Sequence, residues 1–225
     1  MATWILGDVH GQYEALQQVL ERSRFDRRSD WLIFLGDVLD RGARPFDCID
    51  ELLLIPNTVL IRGNHDENFH TYIKTGIDGL QGGHGMAYTK RRWQQLDAEA
   101  KERAARFFEQ QVPYHVQEQQ LFVHGGIHTD VPITQQNGDT FYWDRSLWRQ
   151  AMELDEEPIR TKDGFTTIFI GHTPTIKWGI TLPQFKRGIW NLDSGAGFEG
   201  GRLTLMNLQT KEYVQSDPVT VMDDE

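Results

Sequence analysis

The sequence WLIFLGDVLDRG occupies residues 31–42. Its first five residues are apolar, and a short apolar run bounded by glycine predicts a buried β-strand. Two carboxylates and a guanidinium follow at once, from Asp37, Asp40 and Arg41. Because an unpartnered buried carboxylate is costly, such groups coordinate a metal or pair with a charge. We therefore expect Asp37 to bridge two metal ions, Asp40 to orient a catalytic histidine and Arg41 to bind a phosphate.

The same arrangement recurs along the chain, since six apolar segments end directly in a short polar motif with glycine. Ligand sites in open α/β sheets form beyond the carboxyl ends of strands, and glycine lets the backbone turn sharply there. We expect the six ends to converge on one site. The motifs are GDVHG (7–11), GDVLDRG (36–42), RGNHD (62–66), HGG (124–126), GHTP (171–174) and DSGAG (193–197).

The segments before the first three motifs alternate with helical patterns. The order is β-α-β-α-β, with helices predicted at 13–23 and from Pro45 to Pro56, and it favours a parallel sheet with right-handed crossovers. Near the end, residues 202–207 and 211–215 predict a closing hairpin.

We expect one domain over residues 1–225. Residues 76–85 are glycine-rich and 86–111 are charged and helix-prone, so a helical insertion is predicted at about 76–111. It either shapes a substrate cleft or is a solvated helix pair. The acidic tail, 216–225, is expected to be frayed.

Composition limits the function. The 225 residues are 39% hydrophobic, with no apolar run near the roughly 20 residues that span a bilayer. A net charge of −10 argues against nucleic acid as a partner. The single cysteine, Cys48, allows no internal disulfide framework. The first motif begins at Gly7, which leaves no room for a signal peptide, so we expect a cytoplasmic protein. The pattern does not indicate an oligomeric state.

The candidate metal ligands are oxygen and nitrogen donors without a thiolate. This donor set suits Mn, Fe or Zn. With one shared carboxylate and water, six side chains can hold two ions. In two-metal hydrolases the ions clamp the attacking and leaving oxygens and lower the pKa of bound water to about 7, which supplies the attacking hydroxide. The six candidates are Asp8, His10, Asp37, Asn64, His124 and His172.

The remaining polar residues suggest the other catalytic roles. His65 adjoins Asn64 and is predicted to be the general acid, with Asp40 holding its ring. Arg41 and Arg145 are predicted to bind phosphate oxygens. Arg145 has an alternative role in an Asp-Arg pair at a helix start. Asp193 either holds a ligand histidine or belongs to a turn.

Each motif alone has a structural explanation, such as a turn at Asp8 and His10 or an ion pair of Asp40 and Arg41. That explanation would have to hold independently at five strand ends, and we therefore prefer the shared site. Four other histidines lie off the pattern and are expected on the surface or in the core. They are His70, His84, His115 and His128.

Together the motifs from residue 7 to residue 174 resemble, in order, those of the calcineurin-like metallophosphoesterases, within them the phosphoprotein phosphatase group. Residues 192–205 resemble the compact phage and bacterial serine/threonine protein phosphatases. The resemblance implies an α/β fold of four layers, αββα, in which two mixed β-sheets pack together and helices flank them.

The resemblance also implies roles. One metal would be held by Asp8, His10 and Asp37, and the other by Asp37, Asn64, His124 and His172. His65 matches the general acid, Asp40 its partner, Arg41 a phosphate ligand and Arg145 a second phosphate-binding arginine. The two divalent ions are typically manganese, with iron or zinc as alternatives.

Asp66 departs from the glutamate usual in phosphoprotein phosphatases, and the additional C-terminal motif of the eukaryotic enzymes is absent. Diadenosine tetraphosphate hydrolases share an aspartate there, but they generally lack an acid at the position of Asp40. We therefore expect a phosphomonoesterase for phosphoserine or phosphothreonine proteins or small phosphoesters. The alternatives are a dinucleoside polyphosphate hydrolase, a cyclic-nucleotide phosphodiesterase and a non-catalytic scaffold.

Overall fold

A computed structural model describes residues 1–77, 85–153 and 157–222 of the chain. Within these residues, two five-stranded sheets are covered by helices. The strands are β1 (Thr3–Leu6), β2 (Trp31–Phe34), β3 (Thr58–Leu60), β4 (Tyr114–Gln117), β5 (Gln120–Val123), β6 (Thr167–Ile170), β7 (Gln184–Lys186), β8 (Ile189–Asn191), β9 (Thr204–Asn207) and β10 (Tyr213–Gln215). The helices are α1 (Tyr13–Arg22), α2 (Pro45–Leu53), α3 (Asn64–Thr75), α4 (Met86–Gln95), α5 (Ala98–Gln110), α6 (Gly138–Trp143) and α7 (Ser146–Ala151), with 3-10 turns at Ile133–Gln135 and Thr175–Trp178.

The first sheet has the strand order β10-β9-β1-β2-β3. Strands β1, β2 and β3 are parallel, and Ile33 pairs with Ile5 on one side and Val59 on the other. Helices α1 and α2 connect them, as the β-α-β-α-β pattern predicts. Strands β9 and β10 pair antiparallel and add the predicted hairpin to the β1 edge.

The second sheet has the order β4-β5-β6-β8-β7. Its three central strands, β5, β6 and β8, are parallel, and the two edge strands are antiparallel to their neighbours. Each sheet therefore contributes three parallel strands, and each of these six strands is followed by one of the six polar motifs.

The sheets pack face to face through residues that alternate along the strands. Ile5 and Ile33 of the first sheet share an apolar cluster with Phe122 and Phe169 of the second, whose rings stack at 4.8 Å. Such an aromatic pair adds about 0.5–1.5 kcal/mol beyond the area it buries. The outer faces carry separate clusters, under α1, α2, α3 and α5 on one side and under α6 and α7 on the other. This confirms the four-layer αββα arrangement.

The predicted insertion at 76–111 contains α4 and α5, while residues 78–84 lie outside the described part. Helix α5 buries Ala104, Phe107 and Phe108. It is therefore not a helix of a solvated pair, because one face belongs to the core beside α2 and α3. Among the described residues, no helix combines the length and hydropathy that a membrane crossing needs.

The prediction of a frayed tail is wrong for residues 216–222. Val219 is buried, and its backbone exchanges hydrogen bonds with Gly200 and Gly201. Further on, the N–H of Met222 donates to the carbonyl of Arg41 at 2.7 Å. The acidic composition of the tail gives no indication that the apolar side chain of Val219 is buried. Nor does it indicate that a distant loop supplies the backbone partner of Met222. Residues 223–225 lie outside the described part.

Candidate metal centre and active site

The six polar motifs meet along one edge of the two packed sheets. The backbone N–H groups of Val9 and His10 both donate to the carbonyl of Asp37, at 3.1 and 2.9 Å, which joins the first two strand ends. The N–H of Gly171 donates to the carbonyl of His124 at 2.9 Å and joins two ends of the second sheet. All six predicted ligands are at most 5% exposed, namely Asp8, His10, Asp37, Asn64, His124 and His172.

The backbone is strained where it delivers these side chains. His10, Asp37 and His172 have φ values of 48°, 60° and 63°, in the left-handed region that non-glycine residues rarely adopt. Gly36 has a φ of 99°, and a Cβ there would come within 2.5 Å of the backbone nitrogen of Gly63. Residues held this way cost of order 1–3 kcal/mol each and cluster at functional sites.

Asp37 lies at the centre of the cluster. Its Oδ2 is 3.3 Å from Nε2 of His124, 3.8 Å from Nε2 of His10 and 4.0 Å from Nε2 of His65. Its other oxygen, Oδ1, accepts a hydrogen bond from the backbone N–H of His65 at 2.9 Å. One carboxylate oxygen thus faces imidazoles from both sheets, as a residue shared by two ions requires.

Each ligand imidazole has one ring nitrogen next to a backbone carbonyl, and this contact determines which nitrogen faces the site. His10 Nδ1 lies 2.9 Å from the carbonyl of Leu39, and His124 Nδ1 lies 2.8 Å from that of Leu35. Because a carbonyl only accepts, each Nδ1 carries the proton and each Nε2 is left with a lone pair. His172 is reversed, since its Nε2 lies 3.3 Å from the carbonyl of Trp143, which leaves Nδ1 as the nitrogen with a lone pair.

The described residues contain two groups in which the possible ligand atoms all lie within 4.8 Å of one another. One contains His10, Asp37 and His65, and the other contains Asp37, His124 and His172. Asn64 extends the second group, because its Oδ1 is 3.1 Å from Nε2 of His124.

Asp8 is not in either group, although the sequence predicts it beside His10. Its Oδ2 accepts from the N–H of His172 at 3.0 Å, while its Oδ1 is buried and has no hydrogen-bond partner among the described residues. A side chain on Gly171 would overlap that Oδ1. An orphaned buried carboxylate oxygen is rare in folded proteins, and it is the atom that a cation would satisfy.

The charges fit a divalent metal centre. Burial and the neighbouring charges of Asp193 and Asp37 raise the pKa of Asp8 well above its usual value. Burial and the positive charge of Arg41 lower the pKa of His10, and burial lowers that of His172, so both rings are neutral. Buried carboxylates, neutral imidazoles and an amide oxygen that point into one volume are a donor set for divalent first-row metals.

Asp40 and His65 form a buried pair beside this cluster. Nδ1 of His65 lies 2.6 Å from Oδ2 of Asp40. Burial alone would lower the pKa of His65, but the charges of Asp37 and Asp40 outweigh it and raise the pKa above the ordinary value. The ring also meets His10 edge to face, with centroids 4.9 Å apart. The imidazole can therefore hold a proton near neutral pH.

The two predicted arginines line the same small cavity as His10, Asp37, Asn64, His65 and His172. The Arg41 guanidinium donates to the carbonyl of Gly197 at 3.1 Å and lies 4.5 Å above the ring of Phe198. In the part of the chain that the structure describes, its Nε has no hydrogen-bond partner. Arg145 donates to the carbonyl of His172 at 2.6 Å. Asp144, between α6 and α7, instead accepts from the N–H of Leu147 in the first turn of α7.

Sequence reasoning missed Lys177 and Phe198 in the cavity lining. Lys177 lies in the turn after the GHTP motif, with its Nζ 5.5 Å from the Phe198 ring centroid. Nothing in its local pattern separates it from a surface lysine. Asp193 also lines the cavity, and burial raises its pKa to about 6. Its Oδ1 accepts from the N–H of Gly195 at 3.0 Å, which is the turn role; no histidine bonds its carboxylate in the described part of the chain.

The histidines set aside in the sequence lie away from the cavity. His70 is buried on α3, His115 is half-buried on β4 and His128 is exposed. His84 lies outside the described residues.

The arrangement agrees with the comparison with known families. A family model, the calcineurin-like phosphoesterases, matches residues 1–214. The chain therefore belongs to the calcineurin-like phosphoesterases. It is a metal-dependent phosphatase, and the family implies divalent metal ions.

Relatives of similar length have two kinds of name. Serine/threonine-protein phosphatase 1 of Salmonella typhimurium is 26% identical over 92% of this chain and 91% of its own length. Bis(5'-nucleosyl)-tetraphosphatase PrpE [asymmetrical] of Bacillus cereus is 28% identical over 93% and 92%. A protein serine/threonine phosphatase structure from Saccharomyces cerevisiae superposes with a TM-score of 0.60 at 17% identity, covering 99% of this chain and 82% of that one, and supports the fold.

Proposed function

We propose that this chain removes phosphate from phosphoserine and phosphothreonine residues of proteins. The observation that carries the proposal is the buried Asp40–His65 pair, with 2.6 Å between Oδ2 and Nδ1. His65 lines a cavity that Arg41 also lines. The departing serine or threonine alkoxide is a poor leaving group, and a fixed general acid is what it needs. The name of the Salmonella relative agrees with this substrate class.

For the metal ligands we propose the same six side chains that the sequence predicts. Asp8, His10 and Asp37 would hold one ion, and Asp37, Asn64, His124 and His172 would hold the other. When bound, the ions supply Lewis-acid charge for the phosphate oxygens and lower the pKa of water. Manganese is the expected metal, with iron or zinc as alternatives that this donor set also accepts.

The side chains would divide the remaining work. Arg41 and Arg145 bind phosphate oxygens with their planar donors. As the bond between phosphorus and the serine or threonine oxygen breaks, that oxygen keeps the electron pair and takes a proton from Nε2 of His65. Asp40 stabilises the imidazolium before transfer. Overall one water is added across the bond, giving the free hydroxyl and inorganic phosphate.

The test is phosphate release from a phosphoserine peptide by the full chain with added Mn²⁺. We expect turnover that depends on the metal and disappears with a chelator. Diadenosine tetraphosphate is assayed in parallel. Turnover of the dinucleotide with none of the phosphopeptide would overturn the proposal.

A second candidate is a dinucleoside polyphosphate hydrolase, and Lys177 is the observation that favours it. It adds a third cation to the cavity that Arg41 and Arg145 line, and burial, followed by the charges of these two arginines, lowers its pKa. A polyphosphate carries anionic groups on both sides of the bond that is cut, so a further cation would bind it. The Bacillus relative is named for this activity.

Replacing Lys177 separates the two candidates. If the substrate is a polyphosphate, Lys177→Met raises KM for diadenosine tetraphosphate about tenfold, the loss of one charge-assisted hydrogen bond. If it is a phosphoprotein, phosphopeptide turnover changes little. Lys186→Met, on the exposed edge strand β7, is the matched control.

A further inference from the structure

Helix α4 contacts the loop that carries Asp40 and Arg41. Thr89 of α4 donates from Oγ1 to Oδ1 of Asp40 at 2.5 Å, and Tyr88 donates from its hydroxyl to the carbonyl of Ala43 at 2.9 Å. Just before the helix, Gly85 comes so close that a Cβ on it would overlap the backbone nitrogen of Arg41. The insertion therefore holds the loop at three points.

The Thr89 hydroxyl is committed to Asp40. Thr89 is fully buried and Asp40 is 3% exposed, so water does not compete for the bond. The other acceptor near Oγ1 is the carbonyl of Gly85, at 3.4 Å. A hydroxyl donates one proton, and the shorter contact to an ionised oxygen is the stronger bond.

Asp40 is consequently held at both oxygens, by Thr89 at Oδ1 and by Nδ1 of His65 at Oδ2. Its backbone has a φ of 69°, in the left-handed region, so the local chain does not by itself favour this orientation. With Nδ1 committed to Asp40, the imidazole of His65 directs Nε2 toward the cavity, 4.0 Å from Oδ2 of Asp37. A rotation of the Asp40 carboxylate would turn the imidazole with it.

We infer that Thr89 is a positioning residue for the general acid, and that it acts through Asp40 on His65. The inference rests on the proposed function, because it assumes that His65 protonates the leaving oxygen. Helix α4 then contributes to catalysis through Asp40 and without contacting the substrate. Loss of the hydroxyl slows the steps that need a proton and spares those that do not.

The experiment compares substrates that differ in their need for the acid. The full chain, saturated with Mn²⁺, is assayed on a phosphoserine peptide, whose alkoxide needs a proton, and on p-nitrophenyl phosphate, whose phenolate leaves without one. We expect Thr89→Val to lower kcat on the peptide about tenfold, a part of the 10²–10⁴ that general acids contribute, and to change kcat on p-nitrophenyl phosphate little. Thr89→Ser keeps the hydroxyl and restores the peptide rate.

Two controls separate positioning from packing. Tyr88→Phe removes the neighbouring α4 contact without touching Asp40, and it should leave the ratio of the two rates unchanged. In a His65→Asn background, Thr89→Val should have no further effect, because the group it positions is gone. Metal content is measured on each variant so that a lost ion is recognised.

The outcomes are distinguishable. An equal loss on both substrates, or a loss that persists in the His65→Asn background, overturns the role of Thr89. A His65→Asn variant with full activity on the phosphoserine peptide overturns the proposed general acid itself. A peptide-specific loss in His65→Asn with none in Thr89→Val overturns the further inference alone.

Discussion

The carboxylate of Asp66 accepts a hydrogen bond from the backbone N–H of Asp37 at 2.9 Å, although the two residues are 29 positions apart along the chain. The same carboxylate accepts from the N–H groups of Val38 and Gly63 and from the side-chain amide of Gln111. Asp66 has no exposed surface. It therefore joins the ends of β2 and β3 and fixes the backbone that carries the central carboxylate.

Replacing Asp66 by asparagine should destabilise the fold. The amide NH₂ would face at least one of the four donors, and a buried unsatisfied donor costs about 1–3 kcal/mol. Urea denaturation of the metal-free protein measures the free energy of unfolding. Asp26→Asn is the control, since Asp26 is exposed and accepts only local hydrogen bonds, and it should change stability by less than about 0.5 kcal/mol. Equal effects of the two variants would contradict the role assigned to Asp66.

His65→Asn should retain the metals and lose turnover of phosphoserine peptide by about 10²–10⁴-fold, the usual contribution of a general acid. Steady-state kinetics and metal analysis of the purified variant check both points. His128→Asn, at an exposed position, should behave as the unchanged protein. A His65→Asn variant that turns over normally would remove His65 from the mechanism.

Arg41→Lys should raise KM for phosphopeptide more than it lowers kcat. A lysine cannot present two parallel N–H groups to phosphate oxygens, and losing one bond to a charged group costs about 1.5–3 kcal/mol, which is roughly 10- to 150-fold in binding. Inhibition by inorganic phosphate gives a second measure of the same affinity. Arg106→Lys, on the exposed face of α5, is the matched control. An unchanged inhibition constant in Arg41→Lys would show that Arg41 does not hold the phosphate.

Removing divalent metal should abolish activity and also lower the unfolding temperature. The buried carboxylates of Asp8 and Asp37 lose their compensating charge when the ions leave. Ligand binding stabilises the folded state by about 2.7 kcal/mol at a free concentration one hundred times Kd. Thermal denaturation against Mn²⁺ concentration measures the effect. Asp8→Asn should shift the dependence of melting temperature on Mn²⁺ to higher concentrations, and the control Asp26→Asn should not. If the melting temperature of the unsubstituted chain does not respond to metal, the proposed site is wrong.

Protonation of His70 should lower the free energy of unfolding of the metal-free protein as the pH drops below about 6.5. Burial lowers the pKa of His70 from its ordinary 6.5, because the ring packs against Phe108 and no described residue forms a hydrogen bond with its Nε2. Between the lowered pKa of the folded state and the ordinary pKa of the unfolded state, the unfolded chain binds a proton at His70 that the folded chain does not. The contribution of neutral His70 to the free energy of unfolding is therefore complete above pH 6.5 and is lost as the pH falls.

The charges that face His70 are Arg62 and Lys74, which lower its pKa, and Glu67 and Glu109, which raise it less. His70→Gln should make stability less dependent on pH over this window, measured by urea denaturation at about pH 7 and about pH 5.5. Burial also lowers the pKa of His115. This adds to the pH dependence of the free energy of unfolding equally in the unsubstituted chain and in His70→Gln. His128→Gln is the control, and an unchanged slope in His70→Gln would exclude His70 as a contributor.

Much of this molecule could be predicted from local patterns. The apolar run before Asp37 and the glycine after it indicate a strand and a sharp turn, because periodicity and backbone freedom act over a few residues. The order of strands and helices before residue 66 favours a parallel first sheet for the same reason. Recurrence of the pattern at six strand ends was enough to predict that the carboxylates and imidazoles of both sheets share one site.

Other features depend on residues that the chain brings together only when it folds. Thr89 looks like an ordinary helix residue, and the RGNHD motif does not reveal what Asp66 bonds. Their partners Asp40 and Asp37 are 49 and 29 residues away. Lys177 reaches the cavity because a turn follows β6, and Val219 is anchored by a loop at 200–201 that no local composition reveals. The amino-acid sequence determined which chemical groups end each strand. Tertiary structure alone decided which groups hold them in place, because the hydrogen-bond partner of a buried polar atom is set by what packs beside it and not by what precedes it in the chain.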